Sequence, residues 1–308
     1  MHIHGVGGID FQNATPTEMS TACQHLARLG ISVFCPTLLT DTTEALLEAC
    51  ARWGAFISHW NGKGALPLGL HLEGPFLNPK VAGAHPPRLC RKPSISLMKR
   101  LVKSSRDTIA IVTLAPELPG AIPLIRALDH MGIRAQMGHS AATVEEALAG
   151  LKAGADGITH LFNAMHFHHR DPGLLGGLLR SPALTAEIIT DGIHVSWDVV
   201  AWAARSLPGQ LYAVSDGCSA LGATAAQGRR GLTLGPVKLR KQGPVAVVAS
   251  SGVLAGGAIP LPRHPKLLAA GLRAAGIELP PEIQHRLFTP PDCPKLKTRL
   301  MRVWSESG

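Results

Sequence analysis

Residues 138–173, GHSAATVEEALAGLKAGADGITHLFNAMHFHHRDPG, restrict the fold more than any other stretch of the chain. Thr143 followed by Glu146 forms a capping box, and Val144, Ala147, Leu148 and Leu151 share one face of the helix that it starts. Gly154 ends the helix. The runs Ile133 to Gly138 before it and Gly157 to His160 after it read as strands, so the unit is β-α-β with parallel neighbouring strands. His139 follows the first strand and His160 closes the second. Both imidazoles therefore emerge at the carboxyl edge of one sheet, on strands about 4.8 Å apart. Either histidine alone reads equally well as an ordinary loop or core residue. Placed together they point to a metal site.

The same alternation runs through the rest of the chain. MHIH, ISVFCPTL, Leu66 to Leu72, Thr108 to Leu114, Ala186 to Thr190 and LYAVSDG bring the count of strands to eight. Between them, Thr17 to Leu29, Thr43 to Trp53, Ser94 to Lys103, part of Leu118 to Met131 and Trp197 to Ser206 read as helices. Eight strands alternating with helices or loops predict an α/β fold, a (β/α)8 TIM-type barrel with its site at the carboxyl ends of the strands. A doubly wound open sheet is the competing architecture, but GVGGID lacks the G-x-G-x-x-G spacing that its first turn requires. His2, His4, Glu73, His139, His160 and Asp216 all fall at strand carboxyl ends. His2 and His4, two apart on a strand, face the same way. Glu73 is the most informative carboxylate, since it leaves an apolar strand directly into Gly74 and Pro75. His85 lies in the irregular loop that follows.

Composition narrows the classes further. At 308 residues the chain can bury a full core. No stretch approaches the 18 apolar residues of a membrane span, and no signal peptide is recognisable, so the expectation is a cytoplasmic protein without a membrane partner. The six cysteines are scattered without a C-x-x-C, and most read as buried thiols. The net charge of +9 is uneven: from Gln227 onward there are 13 Lys or Arg against 4 Asp or Glu, and the remainder of the chain balances at 17 of each. Such a tail lacks the aromatic interleaving of a nucleic-acid surface, and no nucleic-acid partner is expected.

In order, HIHGVGGIDF, HLEGPFLNPKVAGAHPP, TLAPE, GHSAAT, THLFNAM, HHRDPG, IITDGIHV and VSDG resemble the motifs of the N-acetylglucosamine-6-phosphate deacetylase family, metal-dependent members of the amidohydrolase superfamily. The resemblance covers about residues 1–220, and LAGG near residue 255 is a weaker echo. It implies hydrolysis of the acetamide of N-acetylglucosamine 6-phosphate to glucosamine 6-phosphate and acetate, in amino-sugar recycling. It implies that Glu73, His139 and His160 hold one divalent metal, zinc or iron. His2 and His4 match the H-x-H that some members use for a second metal and others have lost. Asp216 matches the general base, and His85 the residue that polarises the carbonyl. His194 and the backbone around Asn163 and Ala164 match sugar and phosphate contacts. Arg170 matches an arginine that reaches the phosphate at the neighbouring subunit's site, which implies a homodimer. His166, His168 and His169 read as solvent-facing loop histidines, with neither His166 nor His168 assigned as a ligand, and His25, His59, His130, His264 and His285 read as ordinary histidines.

The chain also departs from the family. Its small β-sandwich, built from segments before the H-x-H and after the barrel, is expected to be largely missing. The first strand is expected to be a stub with an open neighbouring edge and poorly anchored His2 and His4. Gly257 stands where the family commonly has serine. The barrel is expected over residues 1–257 and a divergent, basic, Pro-rich tail over 258–308, with one helix from Lys266 to Ala275. The charge asymmetry suggests a tail translated out of its ancestral frame, or degenerated, and a recorded start that is too late. Two other functions are compatible with these departures: an inactive or weakly active sugar-phosphate-binding relic, and a deacetylase of a related acetamido sugar phosphate.

Overall fold

In the computed structural model, which describes residues 2–60, 62–229, 231–289, 293–296 and 298, eight parallel strands follow one another around a barrel. They are His2–Ile3, Val33–Leu38, Leu70–Glu73, Ile109–Leu114, Arg134–Met137, Gly157–Ile158, Thr185–Ile189 and Leu211–Val214. Each pairs with the next in parallel register. The first and last strands meet where Ile3 bridges Gly217, and the His4 N–H donates to the Gly217 carbonyl at 2.6 Å. These are the eight strands expected from the sequence.

Helices cover the outside of the barrel. The box of Thr143 and Glu146 caps Val144–Lys152, with side chain and backbone bonds in both directions. A second box, Thr15 with Glu18, starts the helix Pro16–Arg28 one residue ahead of the expected Thr17. The helix Gly173–Arg180 was not legible, because the three glycines of GLLGGLLR are weak helix formers. Its glycines serve close approach. A Cβ on Gly176 would stand 2.5 Å from Val144 Cγ2, and one on Gly177 2.9 Å from Ala147 Cβ. The helix can thus lie directly on its predecessor.

The expected weak anchoring of the first strand is not what the structure shows. His2 and His4 are buried, at 1% and 3% exposure. Two strand residues suffice because Val33–Leu38 pairs with them on one side and Gly217 bonds them on the other. Residues 232–257 add an element absent from the sequence reading, a four-stranded antiparallel sheet of Leu232–Leu234, Val237–Gln242, Val245–Val248 and Leu254–Gly257. It packs its own small core of Leu232, Leu234, Leu239 and Ala246 with Leu39 and Cys218. Gly257 sits against the barrel mouth, and its N–H donates to the Asp216 carbonyl. A Cβ there would collide with the Ser215 carbonyl.

Beyond this sheet the expected helix is present as His264–Ala274, and it packs on Trp197–Ser206. A further helix, Pro281–Leu287, begins with proline at its first position, where the missing N–H has no intrahelical partner to lose. Residues 290–292, 297 and 299–308 of the expected tail lie outside the described residues. Among the described residues no helix is long and apolar enough to cross a membrane.

Candidate metal centre

Glu73 is the last residue of the third barrel strand, and His139, His160 and Asp216 stand two residues beyond the fifth, sixth and eighth. Those three adopt left-handed backbone, with φ of 47°, 29° and 45°. L-residues seldom take this conformation, and here it breaks the strand alternation at the barrel mouth. The result is two groups of three side chains: Glu73, His139 and His160, and His2, His4 and Asp216. Within each group the ligand atoms lie within 4.8 Å of one another.

The donors converge in a way that fits a cation. His139 Nε2 and His160 Nε2 are 3.0 Å apart, and both face Glu73 Oε1, at 3.3 and 2.9 Å. His2 Nε2 and His4 Nε2 repeat the arrangement at 3.0 Å. Ring nitrogens that face each other with lone pairs repel unless a proton or a metal lies between them. Asp216 Oδ1 is buried without a hydrogen-bond partner, although His2 Nε2 is 3.2 Å and His4 Nε2 3.4 Å away. Imidazole and carboxylate donors of this kind suit zinc or iron.

The electrostatics agree with this. Burial opposes charge on Glu73 and Asp216, but the facing His2, together with the hydrogen bonds of His139 and His160 to Glu73 and the charge of His4 beside Asp216, outweighs it and holds both carboxyls below the usual range. Burial also opposes charge on His2, yet Asp216, Glu73 and Glu187 raise it well above its ordinary value. A pocket that pulls protons onto buried imidazoles is one that attracts positive charge.

Around the two groups stand the other expected residues. His85 Nε2 lies 3.2 Å from Glu73 Oε2, and its Nδ1 accepts the Thr40 N–H at 3.3 Å. That acceptor role places the proton on Nε2. Burial lowers the His85 pKa to about 4, so the ring is neutral at pH 7. His194 Nδ1 pairs with Asp191 Oδ2 at 2.6 Å, and its Nε2 is buried without a partner. Asn163 turns its amide onto the His160 and Leu161 carbonyls, capping the turn that positions Ala164. Arg170 is exposed, with its Nη1 3.3 Å from His169.

Reading the sequence missed Glu187, Asp191, Thr40 and His71. Glu187 Oε2 holds His2 Nδ1 at 3.0 Å, and His71 packs its ring edge-on against His2 at 4.7 Å. A signal was available for Glu187, a carboxylate in the middle of the otherwise apolar strand TAEII, where a solvated side chain has no place.

Fold and site together define a (β/α)8 barrel whose strand ends carry two histidine and carboxylate groups able to hold a metal ion. No protein-family model matches the chain. It is similar to the N-acetylglucosamine-6-phosphate deacetylase of Vibrio furnissii, with 37% identity over 267 residues, 86% of this chain and 65% of that one. It is also similar to the N-acetylgalactosamine-6-phosphate deacetylase of Escherichia coli O157:H7, with 38% identity over 195 residues, 63% of this chain and 52% of that one. Among solved structures it resembles a mutant N-acetyl-D-glucosamine-6-phosphate deacetylase of Mycobacterium smegmatis in complex with N-acetyl-D-glucosamine-6-phosphate. The TM-score is 0.85 at 29% identity, covering 96% of this chain and 76% of that one. The chain belongs to the N-acetylglucosamine-6-phosphate deacetylase family. It spans between about half and two thirds of the length of these two sequence relatives.

Proposed function

We propose that the chain hydrolyses the acetamide of N-acetylglucosamine 6-phosphate to glucosamine 6-phosphate and acetate. The observation that carries the proposal is the convergence of Glu73, His139 and His160 beside Asp216 at the barrel mouth. A zinc or iron ion held by Glu73, His139 and His160 would supply Lewis acidity to the amide carbonyl and to the attacking water. Asp216, ionised and without a hydrogen-bond partner on Oδ1, takes the proton of that water. It then returns the proton to the departing amine, which leaves poorly as an anion. His85, neutral and protonated on Nε2, donates to the oxygen on which negative charge develops. His194, with Asp191 fixing its ring, and the turn of Asn163 and Ala164 face the sugar phosphate.

A homodimer completes the reading. Phe167 and Trp202, 54% and 44% exposed, flank Phe162 at ring distances of 6.4 Å beside the loop that carries Arg170. Apolar surface next to an exposed guanidinium suits a second copy whose substrate phosphate Arg170 reaches. Cysteines as deeply buried as Cys23, Cys50 and Cys218 suit a reducing compartment, the cytoplasm.

The Escherichia coli relative favours a second substrate, N-acetylgalactosamine 6-phosphate. Acetate release from both epimers, with metal content measured on the same protein and on Asp216→Asn, decides. Turnover of one epimer, lost in Asp216→Asn with the metal at Glu73, His139 and His160 retained, supports the mechanism. Metal bound without acetate release would instead identify a binding relic.

A further inference from the structure

The barrel interior beneath the metal centre is polar where parallel barrels ordinarily pack branched apolar side chains. Glu187, 1% exposed, is the carboxylate at its centre. Its Oε2 lies 3.0 Å from His2 Nδ1 and accepts the His160 N–H at 3.4 Å. Its Oε1 accepts from the Tyr212 hydroxyl at 3.4 Å. That hydroxyl accepts in turn from Gln136 Nε2 at 3.0 Å and Arg134 Nη1 at 3.3 Å. Arg134 is fixed by Asp156 at 2.9 Å and Thr185 at 2.6 Å. A continuous chain of contacts thus runs from Asp156 through the barrel to His2.

We propose that Glu187 is a positioning residue for a second metal ion, held by His2, His4 and Asp216. By accepting the proton on His2 Nδ1, Glu187 fixes the tautomer whose Nε2 lone pair faces His4 and Asp216. The carboxylate also makes the imidazole a more basic ligand. A buried carboxylate costs stability unless it is paired, and its pairing here runs mainly to one candidate ligand and the backbone of another. The affinity for the second ion therefore depends on Glu187 in addition to the ligands. The inference rests on reading the centre as a metal site and is independent of which substrate is hydrolysed.

The test is zinc binding by the metal-free full chain, followed by calorimetry, with cobalt absorption spectra to separate the two sites. The wild type should take two ions. Glu187→Met should weaken the second by about 10- to 100-fold and leave the first unchanged. Glu187→Gln, which still accepts the His2 proton without the charge, should fall between them. Tyr212→Phe, which keeps the carboxylate and removes one of its hydrogen bonds, should show a smaller loss confined to the second ion. Two ions at wild-type affinity in Glu187→Met overturn the inference, and so does an equal weakening of both, which would mark a structural role. A wild type that takes one ion overturns the second site itself. Acetate release on the same samples keeps failure of the catalytic reading separate from these outcomes.

Discussion

Glu73 and His160 meet at 2.9 Å through Glu73 Oε1, while Oε2 of the same carboxylate faces His4 and His85, each at 3.2 Å. One side chain thus touches both histidine groups and the candidate oxyanion donor. Glu73→Gln should weaken metal binding at both groups, and the loss of a buried charged partner is worth about 3–5 kcal/mol. Metal analysis after dialysis should find less than one ion per chain. Retention of a full complement would show that Glu73 is not a ligand.

His85→Gln should lower kcat for acetate release by about 10²- to 10³-fold, the usual cost of an oxyanion donor. KM should move little, because the charge that His85 meets develops after binding. Equal loss in kcat and gain in KM would place His85 in substrate binding instead.

His264 ties the C-terminal helix to the barrel, with Nε2 donating to the Ile259 carbonyl at 3.2 Å and Nδ1 accepting from Thr190 at 2.9 Å. His264→Gln should cost about 1–3 kcal/mol near neutral pH. Burial lowers the His264 pKa, so below about pH 6.5 the unfolded chain binds a proton that the native chain refuses. The stabilisation is present above that pH and is lost as pH falls towards the native pKa. Melting curves should therefore show the gap between wild type and His264→Gln narrowing from pH 7.5 to pH 5, and a widening gap would contradict the assignment.

Gly176→Val should destabilise the fold by about 1–3 kcal/mol, because the added carbons enter the space of Val144 Cγ2 and Pro172. Chemical denaturation would detect this, and an unchanged midpoint would mean that the two helices can separate at little cost.

The eight strands and the ends that carry Glu73, His139, His160 and Asp216 were legible because strand-helix alternation and capping are local signals. What escaped depended on contacts distant in sequence. Gly173–Arg180 is a helix because Val144 and Ala147 lie against its glycines, and no local periodicity announces that. His2 and His4 looked loosely held because their anchors are 33 to 213 residues away, in Cys35, Pro36 and Gly217. Glu187 carried a readable signal, but its partner His2 lies 185 residues away. Thr40 meets His85 from 45 residues away, whereas Asp191 stands only three residues before His194 and was within local reach.

The seam of the barrel has a consequence for how the centre comes into being. The hydrogen bonds that join the first strand to the last run from His4 and Gly5 to Gly217, the residue after Asp216. Three of the site's side chains, His2, His4 and Asp216, therefore come into range of one another only when the seam shuts. Closing the ring and finishing the centre are a single step, so a chain caught with its ring ajar would have a folded exterior and half a site. Metal occupancy in a purified sample would then serve as a gauge of ring closure.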